Sequence, residues 1–221
     1  ELNFNFKVKN QLFKKIFQNL IKKNKISNGI IYLQITRGVQ SREHAYKKNL
    51  KPNVVVYTVK KKFNLPNKNY KGFKAITYPD IRWGRPDIKT TSLLANIIAA
   101  TEASKKGAYE TILVKGKKIT EAAHSNVWIV KGNKIITHPA NKEILKGVTR
   151  TVLINIIYSL GFKFIEKKFS LKELYESDEV FITSSGSLVT PITQIDSIKI
   201  NNKKIGKITK ALALSFYKSI I

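Results

Sequence analysis

The hydrophobic pattern of this chain changes period repeatedly, and that alternation constrains the fold more than any other feature. From Lys7 to Lys23, apolar residues at Leu12, Phe13, Ile16, Phe17, Leu20 and Ile21 recur at steps of three and four, which predicts an amphipathic helix. A turn at Asn28-Gly29 leads into an apolar run from Ile30 to Thr36. After a polar stretch, Arg37 to Asn53, a second run follows at Val54 to Val59, and both runs read as strands. The segment from Lys60 to Tyr70, rich in Lys and Asn with one Pro, reads as a linker.

Beyond the linker the alternation resumes. Lys74 to Tyr78 is strand-like, and Thr90 to Lys106 predicts a helix with Leu94, Ile97, Ile98 and Thr101 on one face, closed by Gly107. Strands are expected at Glu110 to Val114, Val127 to Val130 and Ile135 to Thr137, the last two joined across Gly132-Asn133. Thr149 is placed to cap a helix running to Leu160 with Val152, Ile156 and Leu160 on its buried side. Strands at Phe162 to Glu166 and Glu179 to Thr183, a brief helix at Leu171 to Tyr175 and a terminal helix from Ile205 to Ile220 complete an α+β pattern without internal repeats.

Composition narrows the chemistry. The 221 residues include no Cys, which excludes disulfides, thiolate catalysis and Cys-ligated metals, and only His44, His124 and His138 are available as imidazoles, so no metal site is expected. No apolar run approaches the roughly 18 to 20 residues of a membrane span, and the first residues do not form a signal peptide; a cytoplasmic protein is expected, without a membrane partner. The 41 Lys and Arg against 14 Asp and Glu give a net charge of +27. The Arg are only Arg37, Arg42, Arg82, Arg85 and Arg150; the remaining cations are Lys dispersed along the chain, a pattern more typical of a solvated surface than of a base-reading one. Lys71 to Tyr78 loosely echoes an RNA-recognition strand, but Lys74 and Ala75 break the pattern.

The order of motifs says more. The stretches Tyr32-Leu-Gln-Ile-Thr-Arg-Gly38, Ser41-Arg-Glu-His-Ala-Tyr46, Asp87-Ile-Lys-Thr90, Thr120-Glu-Ala-Ala-His-Ser-Asn-Val127, Thr137-His-Pro-Ala-Asn141 and Ile144-Leu-Lys-Gly-Val-Thr-Arg150 together resemble the D-amino-acid aminotransferases, pyridoxal-phosphate enzymes of the branched-chain-aminotransferase fold (fold type IV). The resemblance covers essentially the whole chain. It implies a two-domain α+β architecture: residues 1–63 as the remainder of a small N-terminal α/β domain, 64–70 as a linker, and 71–221 as a large cofactor-binding domain with a pseudo-barrel of strands and flanking helices. It also implies transamination between D-amino acids and 2-oxo acids, pyridoxal 5'-phosphate as cofactor, and a homodimer with a shared active site.

Residue by residue, the resemblance assigns Lys89 as the catalytic Schiff-base lysine, a role that suits a primary amine able to lose its proton in a partly desolvated site. Glu121 falls where the family has the carboxylate facing the pyridine nitrogen, keeping it protonated so that the ring accepts electrons. Val148 and Thr149, at a predicted helix start, and Ser184 and Ser185, in a Ser-rich turn, match the cofactor-phosphate positions; free N–H groups and the helix dipole favour an anion there. Arg42 and His44 match the pair that grips the substrate carboxylate from the neighbouring subunit, an Arg fork with an imidazole donor. His138 reads as a structural residue of a turn. His124 stands where the family has a small hydroxyl residue, which predicts a narrower or differently bonded pocket.

The match begins part-way into the family's small domain, without the arginine and tyrosine expected on its first strands. The natural protein is therefore expected to extend further at its N-terminus. The alternatives are another enzyme of the fold, a branched-chain aminotransferase or an aminodeoxychorismate lyase; a basic nucleic-acid-binding module; and a fragment that no longer binds cofactor.

Overall fold

A computed structural model describes residues 1–3 and 6–220 and separates the chain into two compact units, Glu1–Lys62 and Phe63–Ile221. In the first unit, helix α1 (Asn10–Lys23) accompanies strands β1 (Gly29–Thr36) and β2 (Asn53–Lys60), which pair antiparallel in a continuous register from Gly29↔Lys60 to Thr36↔Asn53. Phe13 is the buried anchor of α1, and stacked Tyr32 and Tyr57, with ring centroids 4.8 Å apart, brace the hairpin.

The second unit holds a nine-stranded sheet. Its strands are β3 (Phe73–Pro79), β4 (Glu110–Lys115), β5 (Lys118–Ala122), β6 (Asn126–Lys131), β7 (Lys134–Thr137), β8 (Lys163–Glu166), β9 (Glu179–Ser184), β10 (Leu188–Ile195) and β11 (Ile198–Lys199). The order is β5-β4-β3-β10-β9-β6-β7-β8, with β11 added to β10. Helices α2 (Leu94–Lys105), α3 (Val148–Ser159), α4 (Leu171–Tyr175) and α5 (Lys207–Lys218) complete the unit. The middle strands are buried on both faces, which explains their unbroken apolar runs. On β6, Val127 and Ile129 enter one core with Val180 and Ile182 of β9, whereas Trp128 and Val130 enter a second core with Phe181, Leu153 of α3 and Leu212 of α5.

Three strands, β5, β10 and the two-residue β11, fall outside the periodicity reading. β5 is short and carries polar Thr120 and Glu121 inward, and β10 contains Pro191, which reads as a break. Helix faces also differ from expectation. On α2 the buried residues are Ala99 and Ala103, while Leu94, Ile97 and Ile98 are exposed: the small residues allow close approach to the sheet, and the larger ones face outward. On α3 the buried stripe includes Leu153, Ile156 and Ile157, whereas Val152 and Leu160 are exposed: the helix turns its Leu153 side to the core, and of the expected stripe only Ile156 is buried. Its N-cap is Gly147, and Thr149 lies inside the first turn rather than capping it.

At α5 the chain supplies its own anion. Both carboxylate oxygens of Glu179 accept from the helix start, Oε1 from the Ile208 N–H at 3.1 Å and Oε2 from the Thr209 N–H at 2.7 Å. That meets donors the helix cannot satisfy internally.

Candidate active site

Glu121, the last residue but one of β5, has only 5% of its surface exposed. One oxygen accepts from Arg82 Nη1 and from the Leu145 N–H at 3.1 Å; the other accepts from Asn126 Nδ2 at 3.0 Å. Arg82 also forks onto Asp80, with Nε to Oδ1 at 2.9 Å and Nη2 to Oδ2 at 2.7 Å, and Thr120 Oγ1 donates to Asp80 Oδ2 at 2.7 Å. All three charged side chains are buried.

Two carboxylates thus share one guanidinium, a buried cluster with a formal charge of −1. Burial pushes the Glu121 carboxyl up to about 7 in spite of Arg82. Burial acts on Asp80 in the same sense, but the Arg82 and Thr120 hydrogen bonds hold it below its ordinary value. On Arg82 burial works against the charge, yet Asp80 and Glu121 keep its pKa above the usual one. A further cation on Glu121 would complete the balance, and the oxygen bonded to Asn126 keeps acceptor capacity for it.

The cluster reaches the start of α3. Asn126 Nδ2 also donates to the Leu145 carbonyl at 2.8 Å, and its Oδ1 lies 2.4 Å from where a Cβ on Gly147 would stand, so the backbone before α3 approaches as only glycine allows. No side chain among the described residues caps α3, so the first-turn N–H groups at Val148 and Thr149 are left for an anion. Thr149 is buried and Val148 exposed. Asn126 pairs with Thr183 on β9, which sets Ser184 beside the same sheet end. The Ser184 hydroxyl contacts Ser187 Oγ at 2.7 Å, and Ser185 is exposed at the turn.

The remaining expected residues are placed as follows. Lys89 is exposed, in the non-helical stretch before α2, seven residues after Arg82 on the same segment. Arg42 and His44 are exposed in the loop between β1 and β2 of the first unit. His124, half-exposed on the β5–β6 turn, has Nδ1 3.2 Å from Oε2 of fully buried Glu110, whose other oxygen accepts from the Thr111 N–H at 2.9 Å. His138 is buried, with Nδ1 2.8 Å from the Pro139 carbonyl oxygen, as suits a packed turn. Asp80, Arg82, Asn126 and Gly147 were not singled out from sequence. The signal for Asp80 and Arg82 was the Asp80-Ile-Arg82 triplet ahead of Lys89 in a chain with few Arg, and Asn126 and Gly147 stand within the motifs that carry the resemblance.

Among known proteins, solved structures share the fold. The branched-chain aminotransferase of Thermobaculum terrenum in its pyridoxal-phosphate form matches with a TM-score of 0.85 over 98% of this chain and 72% of that one, at 19% identity. The class IV amino-transferase model matches residues 1–195, and the chain belongs to that family. Among its relatives, the D-alanine aminotransferase of Staphylococcus aureus strain N315 is 37% identical over 99% of this chain and 77% of its own length. That of Listeria monocytogenes strain 10403S is 38% identical over 94% and 72%. No helix among the described residues is long and apolar enough to cross a membrane.

Proposed function

We propose that this chain is a pyridoxal-phosphate-dependent aminotransferase that exchanges amino groups between D-amino acids, D-alanine among them, and 2-oxo acids, working as a cytoplasmic homodimer. The observation that carries the reading is the buried Asp80–Arg82–Glu121 cluster, one positive charge short, in a chain that shares more than a third of its residues with D-alanine aminotransferases.

In this reading residues 1–63, 64–70 and 71–221 are small domain, linker and cofactor domain. Glu121 accepts from the protonated pyridine nitrogen, and Arg82 and Asn126 hold its carboxylate in place. The N–H groups of Val148 and Thr149 and the hydroxyls of Ser184 and Ser185 receive the phosphate. Bound there, pyridoxal phosphate supplies an electron sink for the pair left at the substrate α-carbon. Lys89 contributes the amine that takes the α-proton and returns it at the cofactor C4′ carbon. Arg42 and His44 grip the substrate carboxylate across the dimer.

The test is a visible absorbance spectrum of the purified protein with pyridoxal phosphate, then with D-alanine and separately with L-leucine. A protein-bound cofactor band that D-alanine alone converts to the pyridoxamine form is the expected result. Conversion by L-leucine would make the chain a branched-chain aminotransferase. No band, with Lys89→Ala behaving identically, would sink the reading.

A further inference from the structure

Arg82 does not divide itself evenly between its two acids. Asp80 takes both Nε and Nη2 of the guanidinium fork, and its Oδ1 also accepts from the Arg82 N–H at 3.2 Å. Nη2 donates once more, to the Glu143 carbonyl at 3.2 Å. Glu121 receives the single arm Nη1 on one oxygen, and its second oxygen accepts from the neutral Asn126 amide.

The arrangement is fixed from the Asp80 side. Asp80 directly follows β3, its N–H donates to the Val114 carbonyl of β4 at 2.8 Å, and Thr120 Oγ1 donates to its Oδ2. An Arg fork meets a carboxylate best through two parallel N–H···O bonds. Released from Asp80, the guanidinium could offer that fork to Glu121 and cover both of its oxygens with an undivided charge. Electrostatics acts in the same direction: burial raises the Glu121 carboxyl, Arg82 lowers it, and Asp80, as a second negative charge, raises it again.

We propose that Asp80 is a positioning residue of the cofactor site: it holds Arg82 to a one-armed contact and offsets its charge, so that the second Glu121 oxygen stays uncovered by the guanidinium and able to hold a protonated ring nitrogen. This role rests on the pyridoxal-phosphate reading above and adds to it the residue that sets how firmly the ring nitrogen keeps its proton.

The test is carried by Asp80→Asn, which keeps the size of the side chain and takes the formal charge of the cluster from −1 to 0. If that variant does not fold, Asp80→Ser removes the charge and the fork with a smaller side chain. In the cofactor-free protein labelled with 13C-glutamate, the Glu121 carboxyl is assigned by its loss in Glu121→Gln and titrated by NMR. Its midpoint, pushed up to about 7 in the wild type, is expected to fall by about one pH unit in the variant, tenfold in proton affinity. With 15N-labelled pyridoxal phosphate bound, the ring nitrogen is expected to resonate as protonated in the wild type and to move toward the neutral position in the variant. A Glu121 midpoint that does not fall, or a ring nitrogen as fully protonated in Asp80→Asn as in the wild type, would overturn the role of Asp80 alone. A wild type that binds no pyridoxal phosphate would overturn it together with the reading it rests on.

Discussion

The amide oxygen of Asn126 occupies the space that a side chain on Gly147 would need, 2.4 Å from the position of its Cβ. The same amide holds Glu121 and the Leu145 carbonyl, so the start of α3 and the buried acid are fitted to one another through one side chain. Gly147→Ala must displace Asn126 and is expected to cost about 1–3 kcal/mol of stability. Urea unfolding measures it, and a parallel loss of cofactor affinity is expected in an absorbance titration. An unchanged midpoint would refute the coupling.

Stability should depend on pH through Glu121. Its folded-state pKa, about 7, lies above the ordinary 4.5, so this group's contribution is full below about 4.5 and is lost as pH rises through 7. The depressed Asp80 acts oppositely: its contribution is present above its unfolded pKa and is lost as pH falls. Glu121→Gln removes the first effect, which amounts to about 3 kcal/mol at most. Urea denaturation of the cofactor-free protein at pH 5 and pH 7.5 should show a stability difference between wild type and variant that changes over this interval; a constant difference would contradict the assignment.

Arg82→Met leaves Asp80 and Glu121 buried without their shared partner. A loss of about 3–5 kcal/mol is expected, as for other broken buried pairs. Denaturant unfolding of the variant reads it, and a loss under 1 kcal/mol would show that the carboxylates find other partners.

Gly206 is confined more tightly than Gly147. A Cβ there would lie 1.7 Å from Cδ of Glu179, whose oxygens are fixed on the α5 start. Gly206→Ala is expected to lower stability by at least about 2 kcal/mol with little change in the absorbance of bound cofactor, since α5 adds nothing to the Glu121 cluster. Thermal unfolding and the cofactor spectrum, read together, separate the two effects.

Arg42→Ala should behave in the opposite manner. The side chain is exposed, so stability should stay within about 0.5 kcal/mol of wild type. The KM for D-alanine is expected to rise tenfold or more, in line with about 1.5–3 kcal/mol for a charged hydrogen bond. A KM unchanged in steady-state assays would remove Arg42 from substrate binding.

Much of the fold was readable because its elements carry clear periods. Strand Ile30 to Thr36 and the brief helix Leu171 to Tyr175 emerge with boundaries shifted by at most one residue. Residues that depend on tertiary partners were not readable. Thr149 has the side chain of a cap, yet the approach of Asn126 makes Gly147 the cap. Leu94, Ile97 and Ile98 form a good apolar stripe, but the sheet takes the alanine side of α2. At the candidate site, Glu121 was visible through its motif, whereas Arg82 and Asn126, whose weight comes from contacts 39 and 5 residues away, needed the folded chain.

The carboxylate at α5 has a consequence for where anions settle on a molecule of net charge +27. Glu179 is tethered beside its helix end, so it competes there at a high effective concentration that a dissolved phosphate cannot match. At α3 no side chain among the described residues plays that part, so its first-turn N–H groups stay open, as the proposed phosphate site requires. One acidic residue therefore helps to sort phosphate among the helix ends of a strongly basic protein, by closing one end and leaving another open.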